Sequence, residues 1–184
     1  DDMILGDKNA PIVVFEYSDS DCAFCERFHP TMKNIVAAYK GKVAWVYRAF
    51  PLAMHPNANT EAVALLCVDK LAGTNASWGF LDKIISVTLD ADPKSNEQLY
   101  VFGEQVGVKT ADLKTCMKDK SIQEKVIATT NAWYAVGVGA AYVGAADTTA
   151  PTTPASLAAS GTTATSGATV NYTSSGTQYG YWSD

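Results

Sequence analysis

The sequence predicts an α/β fold in which a strand-helix-strand opening is followed by an inserted all-helical subdomain. Three observations carry this expectation. An apolar run at residues 11–17 gives way to helical spacing from Cys22, then to a second apolar run at residues 43–48. Residues 57–125 repeat apolar side chains at helical spacing without a strand signal between them. The composition, 47% hydrophobic and 18% charged over 184 residues, is that of a globular chain able to bury one good core.

Taken in order, Pro11-Ile12-Val13-Val14-Phe15-Glu16-Tyr17 is bounded by proline and by Ser18-Asp19-Ser20, which marks a buried strand. Phe24, Phe28, Met32, Ile35 and Val36 then recur at spacings of three and four. Pro30 is expected to kink this helix and Gly41 to end it. Val43-Ala44-Trp45-Val46-Tyr47-Arg48 reads as the next strand. Such a β-α-β unit favours parallel strands joined by a crossover helix. It accounts for residues 1–56.

The insertion, residues 57–125, opens with an apolar stripe (Ala62, Val63, Leu65, Leu66, Val68) that stops at Gly73. Trp78, Phe80, Leu81, Ile84 and Ile85 mark a second helix. Ser95-Asn96-Glu97-Gln98 and Ser121-Ile122-Gln123-Glu124 both have the spacing of a capping box, which satisfies free amides at a helix start. Thr110 is the expected N-cap of a short helix carrying Leu113, Cys116 and Met117.

Residues 126–184 form the third region, and no Lys or Arg follows Lys125. Residues 126–146 are uncharged but rich in Gly, Ala and Thr. A buried helix running into a glycine-rich loop fits them better than a membrane span, which needs about 20 predominantly apolar residues. The Gly/Ala/Ser/Thr-rich tail beyond has the composition of a linker or stalk. Within it, residues 168–173 alternate as a strand does, so a sheet edge and a disordered tail both remain open.

The chemistry centres on Cys22-Ala23-Phe24-Cys25. Two cysteines spaced i, i+3 at the start of a helix can close a disulfide on one face. The helix dipole and the free amides there stabilise a thiolate on the first cysteine. Cys22 is therefore the expected nucleophile and Cys25 the resolving thiol. The rivals are a structural pair and a zinc or copper carrier that borrows His29, although no fourth ligand lies near in sequence. His29 is expected to pack or cap, and His55 to open a loop. A net charge of −5 with no basic run argues against nucleic acid as a partner.

The stretch from Gly6-Asp7-Lys8-Asn9-Ala10-Pro11 through Cys22-Ala23-Phe24-Cys25-Glu26-Arg27-Phe28-His29-Pro30 resembles the opening of the DsbA-like oxidoreductases. Trp45-Val46-Tyr47-Arg48-Ala49-Phe50-Pro51-Leu52 and His55-Pro56-Asn57-Ala58 do so as well, and the resemblance extends to about Val138. It implies a thioredoxin fold with a helical insertion and an enzyme that exchanges disulfides with exported, cysteine-containing proteins. Its cofactor is no more than its own redox-active disulfide, with no metal. A membrane or soluble redox partner recycles that disulfide.

Carried onto this chain, the resemblance makes Cys22 the attacking cysteine, Cys25 its buried partner, and Glu16 an acid behind the disulfide that assists proton transfer. Asp19 and Asp21, with no histidine between the cysteines, are expected to leave the thiolate less stabilised than in the strongest oxidants. The family's cis-proline falls on Pro154, with Pro151 as the alternative. Cys67 and Cys116 are either buried free thiols or, as in some relatives, a second, structural disulfide. The setting implied is extracytoplasmic, and the opening Asp1-Asp2-Met3-Ile4-Leu5-Gly6-Asp7 carries no leader or anchor signal. A thioredoxin-like domain that merely displays its tail to a surface partner is the remaining rival. Asn75 and Asn171 begin glycosylation triplets.

Overall fold

The computed structural model describes residues 2–88, 95–136, 141–145, 170–174 and 176–181. The elements in chain order are β1 (Met3–Gly6), β2 (Ile12–Ser18), α1 (Ala23–Ala38), β3 (Val43–Ala49), α2 (Ala58–Ala72), α3 (Thr74–Thr88), α4 (Asn96–Gln105), α5 (Thr110–Cys116), α6 (Lys120–Val136), β4 (Ala141–Ala145), β5 (Val170–Ser174) and β6 (Gly176–Tyr181). The strands form one sheet in the order β1-β3-β2-β4-β6-β5. Its centre is the parallel pair β2 and β3, joined by crossover helix α1 as the sequence pattern requires. β1 runs antiparallel to β3 and β4 antiparallel to β2.

Several local expectations are revised. β1 has no signal in the sequence reading, yet Met3 pairs with Tyr47 and Gly6 with Ala44. Gly6 is obligatory at this strand end: its φ is +98°, and a Cβ would lie 2.8 Å from the Val43 carbonyl. Ser95 does form the capping box with Gln98. Thr110 does not cap α5, because Lys109 is the N-cap and the Thr110 hydroxyl donates to Glu104 instead. At α6, Asp119 displaces Ser121 as the capping side chain, accepting from the Ser121 amide at 3.0 Å and its hydroxyl at 2.8 Å. α6 runs unbroken through positions 125 and 126, where the composition changes. β4 lies in the stretch read as glycine-rich loop, and β5 forms the outer edge of the sheet.

The core lies between the sheet and the helices. Trp45 of β3, Leu65 and Val68 of α2, Phe80, Leu81 and Ile84 of α3, Leu99 of α4 and Leu113 of α5 are all fully buried. Burying a side chain of this size contributes about 1.5–3 kcal/mol. A disulfide between Cys67 and Cys116 ties α2 to α5. Among the described residues, no helix is long and apolar enough to cross a membrane.

Candidate active site

The site is built where the parallel strands end. Glu16 lies opposite Tyr47 and Ser18 opposite Ala49, and the chain passes from β2 through Asp19-Ser20-Asp21 directly to the start of α1. Cys22 is the N-cap of α1, with extended backbone at φ −99° and ψ 119°; Cys25 is the third helical residue. First-turn amides have no acceptor within their helix, and Cys22 stands beside them. Both cysteines are half-buried free thiols in the structure.

Cys25 has a different environment from Cys22. Burial pushes its thiol up to about 11, only partly offset by the Ser18 side chain and the Asp19 amide, and the neighbouring Cys22 adds to the rise. Glu16 of β2 and Cys25 both act on the buried Tyr47 of β3. Burial raises the Glu16 carboxyl above the ordinary carboxylate range, while Ser18 and a charge on His29 oppose the rise. Its Oε2 is buried without a hydrogen-bond partner. Tyr47 completes this chamber, its hydroxyl donating to the Ser18 carbonyl at 3.2 Å. Burial, then Glu16, Cys25 and Asp19, hold Tyr47 neutral far above its usual range.

Three consecutive side chains hold the loop before Cys22, and the sequence marks two of them, Asp19 and Asp21, only as charges beside the thiol. Asp19 is buried, and its carboxylate accepts from the Asp21 amide, the Leu52 amide and His55 Nδ1, each at 2.8 Å. The Ser20 hydroxyl donates to the buried Glu61 of α2 at 2.6 Å. The Asp21 carboxylate accepts from the Asn57 amide at 3.4 Å. Asp19 is thus engaged by three donors, which disperses the charge that the sequence reading set against the thiolate. The signal for this network was the Asp19-Ser20-Asp21 run itself, but its partners lie 33 to 41 positions away.

His29 is buried, its ring 5.1 Å from Trp45 and 6.3 Å from Trp78, and its Nε2 donates to Asp82 at 2.7 Å. One of its two ring nitrogens is therefore committed to a carboxylate. Among the described residues, no cluster of three or more metal-ligating side chains occurs. Pro154 and its alternative Pro151 lie outside the described residues.

The thioredoxin family profile matches residues 1–141, a span that holds both cysteines and the whole parallel pair. The chain belongs to that family. Within it, a Rickettsia bellii protein provisionally named a protein-disulfide oxidoreductase is 32% identical over 136 residues, covering 71% of this chain and 50% of that protein. A similarly named Rickettsia conorii protein is 29% identical, covering 71% and 47%. The chain thus spans about half the length of the curated relatives it matches. Among solved structures, Wolbachia pipientis α-DsbA1 superposes with a TM-score of 0.67 at 23% identity, covering 78% of this chain and 74% of that one. Pseudomonas aeruginosa DsbA2 gives 0.65 at 23% identity, covering 79% and 81%. At these identities the likeness establishes the fold: a thioredoxin fold with a helical insertion, as in DsbA proteins.

Proposed function

We propose that this thioredoxin-family chain is a thiol–disulfide oxidoreductase acting on exported, cysteine-containing proteins outside the cytoplasm. The observation that carries the reading is the asymmetry of the pair. Cys22 caps the N-terminus of α1 at its open end, while burial pushes the thiol of Cys25, one turn in, up to about 11. One thiol is set to attack and the other to wait.

In the reducing direction Cys22 thiolate attacks a substrate disulfide, forming a mixed disulfide and releasing one substrate thiolate. Cys25 gives its proton to Glu16 and attacks Cys22 Sγ. The mixed disulfide breaks, the second substrate thiolate leaves, and the enzyme is left oxidised with its substrate reduced by two electrons. Oxidation of a dithiol substrate is the same sequence reversed. Glu16 suits the proton transfer because burial moves its carboxyl toward neutrality, where a general base works best. A membrane or soluble redox partner resets the pair.

Phe24, between the cysteines, and Met54, in the loop tied down by Asp19, are the two most exposed large apolar side chains among the described residues. They give unfolded substrates an apolar contact beside the sulfur atoms. The test is Cys22→Ser, assayed by insulin reduction and by oxidation of a dithiol peptide. Both rates should fall to the uncatalysed level. Full retention of either one would end this reading.

A further inference from the structure

The proposed exchange requires Glu16 to shed a proton on every turnover, yet one oxygen of its carboxyl is sealed from solvent. Its Oε2 is buried and unpartnered, and so is His29 Nδ1. The two groups are near enough for a charge on His29 to act on Glu16. Buried polar atoms without partners are uncommon and call for a role.

His29 is built as a two-ended group. Asp82 is more than a third exposed at its side chain and is bonded to both His29 and Lys33. Partial burial works against its ionisation, but the bonds from His29 and Lys33 outweigh this and keep it a carboxylate. A carboxylate can only accept, so Nε2 carries the proton and Nδ1 is the free end. Outside this pair lies a cavity of about 500 Å³ lined by Glu26, Arg27, His29, Pro30, Asp82 and Ile85. The ionisable groups around the ring are Glu16 from β2, Tyr47 behind Trp45 on β3, Asp82 from α3, and Glu26 and Lys33 from its own helix.

We propose that His29, held by Asp82, is the relay that carries the Glu16 proton between the buried chamber and solvent. Resting on the oxidoreductase reading, the step runs as follows. Cys25 loses its proton to Glu16 as the mixed disulfide is resolved. Glu16 passes it to His29 Nδ1, directly or by way of one water. The imidazolium gives its Nε2 proton to water by way of Asp82 and keeps the new one on Nδ1; the reverse passage, when the redox partner resets the pair, restores the starting tautomer. His29 is a positioning residue: it touches neither sulfur nor substrate.

The decisive experiment is single-turnover resolution of the Cys22 mixed disulfide against pH, using a fluorescent disulfide peptide. His29→Gln should slow resolution about tenfold at every pH where wild type turns over, because Glu16 loses the base that takes its proton. Formation of the mixed disulfide by Cys22 should keep its wild-type pH profile. A His29→Gln resolution profile that overlays wild type overturns the relay and leaves the oxidoreductase reading standing. That reading falls separately, if Cys22→Ser remains active. Wild-type protein supplies a readout free of folding artefacts at His29. The ¹⁵N shift of its Nδ1 should move when Glu16→Gln is introduced, and an unmoved signal also overturns the relay.

Discussion

The molecule holds two pairs of cysteines, and their surroundings have nothing in common. Cys67 and Cys116 lie 49 positions apart on α2 and α5, bonded to each other. Both are buried in the apolar cluster that includes Leu65, Leu81 and Leu113. Cys22 and Cys25 lie three positions apart at the start of one helix, half-buried, and Cys25 faces Ser18, Asp19 and Tyr47. Thiolate attack needs a stabilised anion and an open path. The first pair is bonded and buried, whereas the second is free, with Cys22 at a helix start. The same functional group thus serves as a staple in one place and a reagent in the other, and packing makes the difference.

The sharpest way to test the comparison is to remove the staple. Cys67→Ala with Cys116→Ala should cost about 3–4 kcal/mol, the loop-closure entropy of roughly 50 residues, read from denaturant midpoints. Activity of the fraction that remains folded should persist. Loss of catalysis in a fully folded double variant would show that the two pairs are not separate in function.

A smaller effect probes the polar wall of the reagent pair. Asp19→Ala strands the Leu52 amide, the Asp21 amide and His55 Nδ1, all partners of one buried carboxylate. Losing these charge-assisted bonds, partly offset by no longer burying the charge, should cost about 2–3 kcal/mol. The fall in Tm should be accompanied by faster alkylation of Cys25, since the loop before it is no longer pinned. A Tm within error of wild type would remove Asp19 as the anchor of the site.

These two regions also differ in how far they could be read from sequence. β2, α1, β3 and the Ser95 capping box are local patterns: an apolar run, a spacing of three and four, a hydroxyl three residues from Gln98. Each stands in the structure. β1 escaped notice because four residues give too short a run, and its stability comes from pairing with β3 some 40 positions on. Asp119 outcompeted Ser121 because a carboxylate one residue before the helix takes both the Ser121 amide and its hydroxyl. Cys22 and Cys25 stand out by their spacing together with the strand before them and the helix after them. Asp19, Ser20, Glu61 and Tyr47 do not, since their meaning lies in partners brought together only by folding.

The smallest effect tests the asymmetry within the reagent pair itself. Below the ordinary thiol pKa, near 9, Cys25 is protonated in both folded and unfolded chains and contributes no pH dependence. Between about 9 and about 11 the unfolded thiol ionises while the folded one does not. The unfolded state then binds fewer protons, so stability falls as pH rises through that window. Reduced wild-type protein should lose on the order of 2 kcal/mol there relative to Cys25→Ala, discounted somewhat because the thiol is not fully enclosed. Chemical denaturation at pH 8.5 and pH 10.5, in buffers compared at equal ionic strength, gives both points of the comparison. Equal pH dependence in the two proteins would mean that Cys25 is no better shielded than Cys22, and the division of labour between them would have to be sought outside the buried chamber.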